Sequence, residues 1–354
     1  MKINQLIQRI FILGGACLMV FTAQAQDARF SQFHQNPLHL NPALTGFYNG
    51  SIRAQVNYRT LYYSVLNEQE YLSYSGSIEN RFQVGESFAS FGAMILNDQV
   101  GVSGYERSYY YLSGAYHQRL AESDYKGPDM FLVLGGQLGF GQYAFEPTNL
   151  WFSSQYDDLL QEIDRDVDSG ENFAEGGANR FLDYNVGLLY YLSYPDGGGF
   201  FIGGAIHHLS EPNVGLLQDS PETLSRRITG HMGGNIPFSK TISLMPAAAW
   251  RQQGPTSSAL LGASVRFSMG EVDDLKLRAG AWVHGTRQLN SGFGPESIIV
   301  TSVFEWKGWQ LGLSYDATVS SLRRSNFARG AFEISIAKIM EGGNSSPKVV
   351  CPDL

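Results

Sequence analysis

Residues 51–60 read SIRAQVNYRT, and this stretch decides the fold. Apolar and polar side chains alternate along it without exception, in the order Ile52, Arg53, Ala54, Gln55, Val56, Asn57, Tyr58 and Arg59. Successive side chains of a β-strand point to opposite faces, so the stretch predicts a strand with one apolar and one polar face. Lipid outside and water inside a barrel would explain both faces.

The same alternation returns along the chain in about fourteen runs. They are residues 51–60, 71–78, 87–96, 106–120, 130–143, 184–194, 200–209, 226–238, 241–251, 257–267, 275–284, 297–306, 309–316 and 328–339. Most are close to the ~9–11 residues that a tilted strand needs to cross a bilayer. The pattern predicts an all-β protein, a transmembrane antiparallel β-barrel of about 14 strands over residues 51–340.

The gaps between the runs indicate the topology. Short gaps such as Ser239-Lys240, Lys307-Gly308 and residues 195–199 carry tight-turn residues. The intervening gaps are mostly longer, notably residues 144–183, 210–225 and 285–296. Outer-membrane barrels have short periplasmic turns and longer extracellular loops, so with both ends of the chain in the periplasm the long gaps face outward.

The N-terminus predicts export through the Sec pathway. Lys2 and Arg9 precede an apolar stretch, and Ala23-Gln24-Ala25 fits a small-x-small cleavage site, so residues 1–25 are assigned as a signal peptide. No later stretch reaches the ~18 apolar residues of a spanning helix. We therefore expect an outer-membrane protein with several strand crossings, in contact with outer-membrane lipid.

The composition agrees with an outer-membrane β-barrel protein. Hydrophobic residues make up 43% of the chain and charged ones 16%, with 40 glycines, a balance typical of strands that place one face in lipid. Loss of Lys2 and Arg9 with the signal would change the formal net charge from −8 to −10. The basic residues form no run, so no nucleic-acid partner is expected. Since Cys17 lies in the signal, Cys351 remains alone and a disulfide framework is excluded.

Two segments flank the predicted barrel. Residues 26–50 contain Asn36-Pro37 and Asn41-Pro42, which favour turns, and several aromatic residues, so the segment is expected to plug or line the lumen or to lie in the periplasm. Residues 341–354 form a Gly/Ser/Pro-rich extension that we assign to the periplasm. Phe30, Phe33, Cys351 and Pro352 are candidate partner-binding residues.

The largest gap contains ten acidic residues between Glu146 and Asp183, against Arg165 and Arg180. One interpretation is a solvated extracellular surface. The other is a cation or partner site. The first is favoured, because the acidic residues lack the Gly-containing spacing and closing Glu of a calcium loop.

No motif for catalysis, a cofactor or a metal is present, so the sequence predicts a protein that is not an enzyme. His207-His208 ends a strand, where neighbouring side chains point to opposite faces, so at most one of the two is expected in the lumen. Glycine pairs such as Gly135-Gly136 and Gly203-Gly204 sit within strands, where they relieve crowding inside the barrel.

The polar faces carry charges of both signs. Inward positions are expected for Arg53, Arg59, Arg251, Arg266, Lys276, Arg278, Asp316 and Glu333. Cross-strand pairs would satisfy these charges in a lumen that holds a plug. The alternative is an open, ion-selective pore, that is, a general solute-diffusing porin.

Several stretches in order resemble the PorP/SprF family of outer-membrane proteins of the Bacteroidota type IX secretion system. They are Phe30-Ser31-Gln32-Phe33, Asn36-Pro37-Leu38, Asn41-Pro42-Ala43, Tyr58-Arg59, Asn97-Asp98-Gln99-Val100-Gly101, His208-Leu209, Gly312-Leu313-Ser314-Tyr315-Asp316, Glu333 and Val350-Cys351-Pro352. They span nearly all of the chain that follows the signal.

The resemblance implies a non-enzymatic barrel needed for secretion or surface attachment of cargo that bears a type IX C-terminal signal, in some members a large adhesin used in gliding. It also implies periplasmic contact with the lipoprotein ring of the machine. Thr60-Leu61-Tyr62 replaces the family's usual Gln-Trp, and the chain ends in Asp353-Leu354 where a basic-aromatic pair is common. These departures suggest a paralogue dedicated to one cargo.

Overall fold

The structure is a computed structural model that describes residues 27–63, 70–101, 104–122, 127–146, 150–157, 159–173, 177–218, 222–269, 275–288, 292–321, 323–327, 329–341 and 351. In this part of the chain, fourteen antiparallel strands form a closed barrel in which each strand pairs with the next barrel strand, and the first strand pairs with the last. The fourteen-strand barrel is therefore confirmed. The assigned signal peptide lies outside the described residues.

The barrel strands have the following bounds: β1 Ile52–Leu61, β2 Tyr71–Val84, β3 Ser87–Val100, β4 Tyr105–Ala121, β5 Asp129–Ala144, β8 Ala178–Ser193, β9 Gly199–His207, β10 Arg227–Pro237, β11 Ile242–Gln253, β12 Thr256–Met269, β13 Leu275–Gln288, β14 Gly292–Trp306, β15 Trp309–Thr318 and β16 Arg329–Met340. Two shorter strands, β6 Tyr156–Asp157 and β7 Glu162–Ile163, form a hairpin in the gap between β5 and β8.

The alternation of the sequence becomes the two faces of the wall. Val56 is 58% exposed and Leu112 is 68% exposed on the outer face, whereas Arg53 and Asn57 are buried inside. An apolar outer band is what a lipid-facing barrel requires. Among the residues described, no helix has the length and apolar character needed to cross a membrane.

The two ends of the barrel differ. One end, here called the tight-turn end, carries the start of β1, the end of β16 and the turns that join β2 to β3 and β14 to β15. The latter turn is Lys307-Gly308, and both residues have positive φ (46° and 77°), as a two-residue hairpin of type I′ requires. The opposite end, the long-loop end, carries the gaps 145–177 and 208–226.

The predicted gap at residues 285–296 is wrong. Strands β13 and β14 continue through most of it, and the register shifts where Gly285 pairs with Pro295 after His284 has paired with Ser297. This β-bulge accommodates the proline and the glycines that suggested a loop. Asp183, counted with the acidic loop, is also misplaced, because it lies within β8 and is buried.

The inner face is partly apolar where a core fills the barrel. Aromatic and aliphatic residues of β3, β5, β8 and β9 point inward and pack on residues of the segment 27–50: Phe88, Phe131, Val133, Leu189, Tyr191 and Phe201. A second apolar cluster includes Val214 and Leu224, so the gap between β9 and β10 folds over the long-loop end. The core therefore sits in the lumen, and the outer face is left to lipid.

Candidate functional site

The lumen is the candidate functional site, because its contents decide whether the barrel is open. Residues 27–50 occupy it, and they are buried throughout except Asn49 and the half-buried Arg29. Asp27 contacts Gln253 at the end of β11, whereas residue 51 continues into β1 at the opposite end. The segment therefore runs the length of the lumen, from the long-loop end to the tight-turn end.

Three short helical turns give the segment its shape: Phe33–Gln35, Pro37–Leu40 and Pro42–Leu44. Pro37 and Pro42 each occupy the first position of a turn, where the missing amide hydrogen costs nothing. Asn41 accepts a hydrogen bond from the Ala43 amide (2.8 Å) and so caps the third turn. The two Asn-Pro pairs thus fold the segment locally.

Asn41 also links the segment to the wall. Its side-chain amide donates to the carbonyl oxygens of Leu188 (3.1 Å) and Gly204 (3.2 Å) and to Nε2 of His231 (2.9 Å), and the residue is fully buried. Buried polar groups of this kind need partners, and here one side chain finds them on three neighbouring strands. Asn36 makes a comparable contact with Ser75 (2.8 Å).

Side chains of the wall satisfy carbonyl groups of the segment. Gln137 donates to Leu38 O (3.0 Å), and His117 donates to Thr45 O (2.8 Å). Arg227 donates to His39 O at 3.0 Å. Such carbonyl groups would be costly to bury without donors, so the polar wall positions and the irregular segment require each other.

The segment also fills the lumen with aromatic rings. Phe33 packs edge-on against Trp282 of β13 (ring centroids 5.5 Å apart), and Phe47 packs against Tyr191 (5.0 Å). Phe30 contacts the His39 ring within the segment (5.7 Å). Phe30 and Phe33, proposed for partner binding from the sequence, are thus buried inside the barrel.

Arg59, Asp316 and Glu333 form one cluster beside Ser31. Arg59 lies 3.0 Å from Asp316 and 3.7 Å from Glu333. Glu333 accepts hydrogen bonds from the backbone amides of Ser31 (2.7 Å) and Gln32 (3.2 Å), and Asp316 accepts one from the Ser31 hydroxyl (2.7 Å). Three residues from different strands therefore bind the segment at one point.

Cross-strand ion pairs inside the barrel are confirmed. Arg59 and Glu333 are direct partners in the register of β1 and β16, as Arg53 and Glu79 are in that of β1 and β2. Arg53 lies 2.8 Å from Glu79, which also accepts a hydrogen bond from the Gly46 amide (2.9 Å). The charges thus pair with each other and with the segment.

A buried Asp-His-Asp network lies at the long-loop end. Nε2 of His208 lies 2.7 Å from Asp27 and Nδ1 lies 2.7 Å from Asp183, while Arg227 donates to Asp27 at 2.6 Å. Tyr111 donates to Asp183, and the Tyr109 ring lies beside the imidazole. The network ties the first residues of the segment to β8 and β10.

These contacts shift the ionisation of His208 and Asp27, both outside the strands. Burial on its own would lower the pKa of His208, but the Asp27 carboxylate and the hydrogen bonds from the imidazole to Asp183 and Asp27 raise it to about 9. Burial would raise the pKa of Asp27, yet His208 and Arg227 hold it well below its usual range. Near neutral pH the network thus contains an imidazolium at His208 paired with the Asp27 carboxylate.

The expectation that only one of His207 and His208 faces inward is wrong. Both are buried, and Nε2 of His207 lies 3.3 Å from Leu40 O. The reason is that β9 ends at His207, and His208 has a positive φ of 57°, which breaks the alternation. Within the described residues, no group of three or more His, Cys, Asp or Glu side chains is arranged to hold a metal ion.

Cys351 lies at the tight-turn end, next to the segment. Its backbone amide donates to the Asn49 side chain (2.7 Å), whose amide donates back to Cys351 O (3.0 Å). The thiol is buried near Arg81 and Tyr191. Pro352 lies outside the described residues.

Four residues of the family motifs, at positions 58, 98, 101 and 315, lie apart from the contact between the segment and the wall. Tyr58 and Tyr315 are exposed on the outer face of the wall. Asp98 is buried and bonds to Arg107 and Ser73 on neighbouring strands, and Gly101 follows β3 with a positive φ of 66°. The structure thus brings Asn36, Asn41, Arg59, Asp316 and Glu333 to the segment inside the lumen. Asp98 also lies on the inner face but pairs with the wall, whereas Tyr58, Tyr315 and Gly101 lie outside the lumen.

A sequence model described as "Type IX secretion system membrane protein PorP/SprF" matches residues 22–337. The chain belongs to the PorP/SprF family. With the closed barrel and its apolar outer band, this membership makes the protein an outer-membrane β-barrel of the type IX secretion system. No curated relative matches the chain.

Solved structures that resemble this PorP/SprF protein are distant. The toluene transporter TbuX of Ralstonia pickettii shares 10% identity, with 87% of this chain and 94% of that chain covered and a TM-score of 0.47. The monoaromatic hydrocarbon channel CymD shares 13% identity over 90% and 95% of the two chains, with a TM-score of 0.43. BamA of Haemophilus ducreyi lacking POTRA domains 1–3 shares 10% over 82% and 70%, with a TM-score of 0.38.

Proposed function

We propose that this chain is a non-enzymatic accessory barrel that supports secretion or surface attachment of type IX cargo. The observation that carries the proposal is the combination of PorP/SprF membership with a lumen occupied by residues 27–50. A filled lumen leaves cargo handling to the two ends of the barrel. In this proposal the cargo is a protein with a type IX C-terminal domain, and a large gliding adhesin is one candidate.

The long-loop end is the proposed cargo side. Its largest gap, residues 145–177, carries the β6–β7 hairpin and exposes Trp151, Leu159 and Leu160. Leu159 is 94% exposed. Apolar side chains in an otherwise acidic loop are unfavourable in water and are suited to contact with another protein.

The tight-turn end is the proposed periplasmic side. The extension 341–354 leaves β16 there, and Cys351 is held at the lumen mouth by Asn49. Exported through the Sec pathway and cleaved after residue 25, the protein would meet the periplasmic lipoprotein ring of the machine at this end. Cys351 and Pro352 are the residues proposed to lie nearest to that partner.

The porin alternative uses the same inward charges as an open pore. Those charges are engaged with the segment and with each other, as at Arg59 and Glu79. Nothing in the described part of the lumen favours solute passage, so the secretion role is preferred.

The test is the surface proteome of a strain that lacks this gene. The proposal expects specific type IX cargo to be lost from the surface and retained inside the cell, and to be restored by the wild-type gene. A complementing gene with residues 151–172 replaced by a Gly-Ser linker should fail to restore it, whereas a linker at the tight turn 195–198 should succeed. An unchanged surface proteome in the deletion strain would refute the proposal.

A further inference from the structure

A polar cavity of about 50 Å³ remains at the long-loop end, between the segment and the strands β1 and β11–β16. Three guanidinium groups line it from three different elements: Arg29 of the segment, Arg59 of β1 and Arg251 of β11. The carboxylates that line it are Glu296 and Asp316. A cavity of this size holds several water molecules or one small anion.

Two of the three guanidinium groups already have partners. Arg59 lies 3.0 Å from Asp316 and donates to Arg29 O at 2.7 Å. Arg29 lies 3.4 Å from Glu296, which also faces the imidazole of His284. Both lining carboxylates are therefore engaged, Asp316 through Oδ2.

Arg251 differs from these two. Its side chain points inward and is half-buried, and among the described residues it makes no hydrogen bond or ion pair. It also lines a neighbouring cavity of about 30 Å³ together with Asp27 and Arg227. Asp27 is engaged there by Arg227 (2.6 Å) and by His208 (2.7 Å).

The remaining nearby carboxylate, Glu333, lies behind Ser31 and accepts two backbone amides as well as facing Arg59. Arg251 is thus a half-buried cation next to other cations, with each neighbouring carboxylate bound elsewhere. A guanidinium group in this position favours an anion that it can bind through paired hydrogen bonds. The hydroxyl group of Ser258 lines the same cavity and can supply a further donor, whereas the Thr318 hydroxyl, which also lines it, donates to Arg329 O (3.5 Å).

We propose that the cavity at Arg251 is a binding site for a carboxylate of a polypeptide at the long-loop end of the barrel. The proposal rests on the proposed function, because cargo would supply the carboxylate. Arg251 would bind it directly, with the hydroxyl group of Ser258 beside it. Both the C-terminal carboxylate of a chain and an acidic side chain have this chemistry.

The experiment is a fluorine NMR titration of trifluoroacetate into the purified, full-length barrel in detergent micelles at low chloride. Saturable broadening of the trifluoroacetate signal is expected with the wild-type protein. Arg251→Gln should weaken the binding at least tenfold, and Arg251→Lys should retain part of it. The matched control is Arg226→Gln, which removes the same charge from an exposed ion pair with Glu211 (3.1 Å) and should bind as the wild type does.

Peptides then identify the source of the carboxylate. Displacement by triglycine but not by its C-terminal amide would support a chain end, and displacement by a doubly capped tripeptide with a central Asp would support an acidic side chain. Equal binding by wild type and Arg251→Gln, no binding by the wild type, or displacement by neither peptide would overturn the proposal. Because the assay uses purified protein, such a result would leave the deletion-strain test of the proposed function unaffected.

Discussion

Replacement of Asn41 by alanine should release the lumenal segment from the wall. The Asn41 side chain makes four hydrogen-bond contacts. It accepts one from the Ala43 amide, and its two amide hydrogens are shared among three acceptors on β8, β9 and β10. Alanine removes all four and leaves the Ala43 amide without its cap. The strands themselves keep their ladder of backbone hydrogen bonds, so the effect should be confined to docking of the segment.

The magnitude follows from these contacts. A buried hydrogen bond contributes about 0.5–1.5 kcal/mol net, so the loss of one accepted and two donated bonds should destabilise the docked segment by roughly 1.5–4.5 kcal/mol. With about 1.4 kcal/mol for each factor of ten, the undocked population should rise by roughly 10-fold to 10³-fold.

Hydrogen exchange followed by mass spectrometry measures this population directly, because amides of a docked segment exchange only when it opens. Peptides that cover residues 27–50 should exchange faster by the factor above in Asn41→Ala, while peptides from the strands should not change. Asn179→Ala is the matched control, since the Asn179 side chain also donates to two carbonyl groups, but in the exposed loops at Asn213 and Gly215. Equal exchange of residues 27–50 in both variants would refute the view that Asn41 holds the segment.

Three further predictions concern the contact between residues 27–50 and the barrel wall. Gly135→Ala should displace the segment, because a Cβ there would lie 2.4 Å from the Ala43 nitrogen. Gly136→Ala, on the opposite face of the strand, should be tolerated. Hydrogen exchange of residues 27–50 distinguishes the two variants. Phe33→Ala should lower the urea unfolding free energy by about 3–5 kcal/mol, as expected for a buried phenylalanine, whereas an unchanged midpoint would contradict its packing role. The pKa of His208 is about 9 when folded and near 6.5 when unfolded. Its contribution to the free energy of unfolding, at most roughly 3 kcal/mol, should therefore be complete below about pH 6.5 and lost as the pH rises through 9. Protection factors near Asp27 should therefore fall between pH 7 and pH 10, and His208→Gln should remove this dependence.

The sequence was sufficient to predict the barrel, because alternation records which side chains meet lipid and which do not. All fourteen runs correspond to strands, and the inward positions of Arg53, Arg59, Asp316 and Glu333 follow from the period alone. Strand ends were less well predicted. Pro295 and Gly285 suggested a loop, but a bulge keeps both within the sheet, and such a bulge depends on pairing that the local sequence does not contain.

The path of the segment and its partners could not be predicted in the same way. Asn41 and His231 are 190 positions apart, and Asp27 and His208 are 181 apart, so no local pattern links them. Some signal was present, since an inward glycine such as Gly135 marks a close backbone approach to the segment. The inward orientation of the His208 side chain depends on a positive φ, which non-glycine residues usually avoid. The alternation of the sequence does not reveal this change.

The central claim is that residues 27–50 close the lumen, and planar-bilayer conductance of the purified protein tests it most directly. Insertion would be verified by quenching of Trp306 and Trp309, which are exposed on the outer face, with brominated lipids, and a porin would serve as a positive control. The cavities of about 50, 20 and 30 Å³ near the segment are far too small for an open water-filled pore. The inserted wild-type protein should therefore give no conductance steps, whereas steady porin-sized steps would contradict the account.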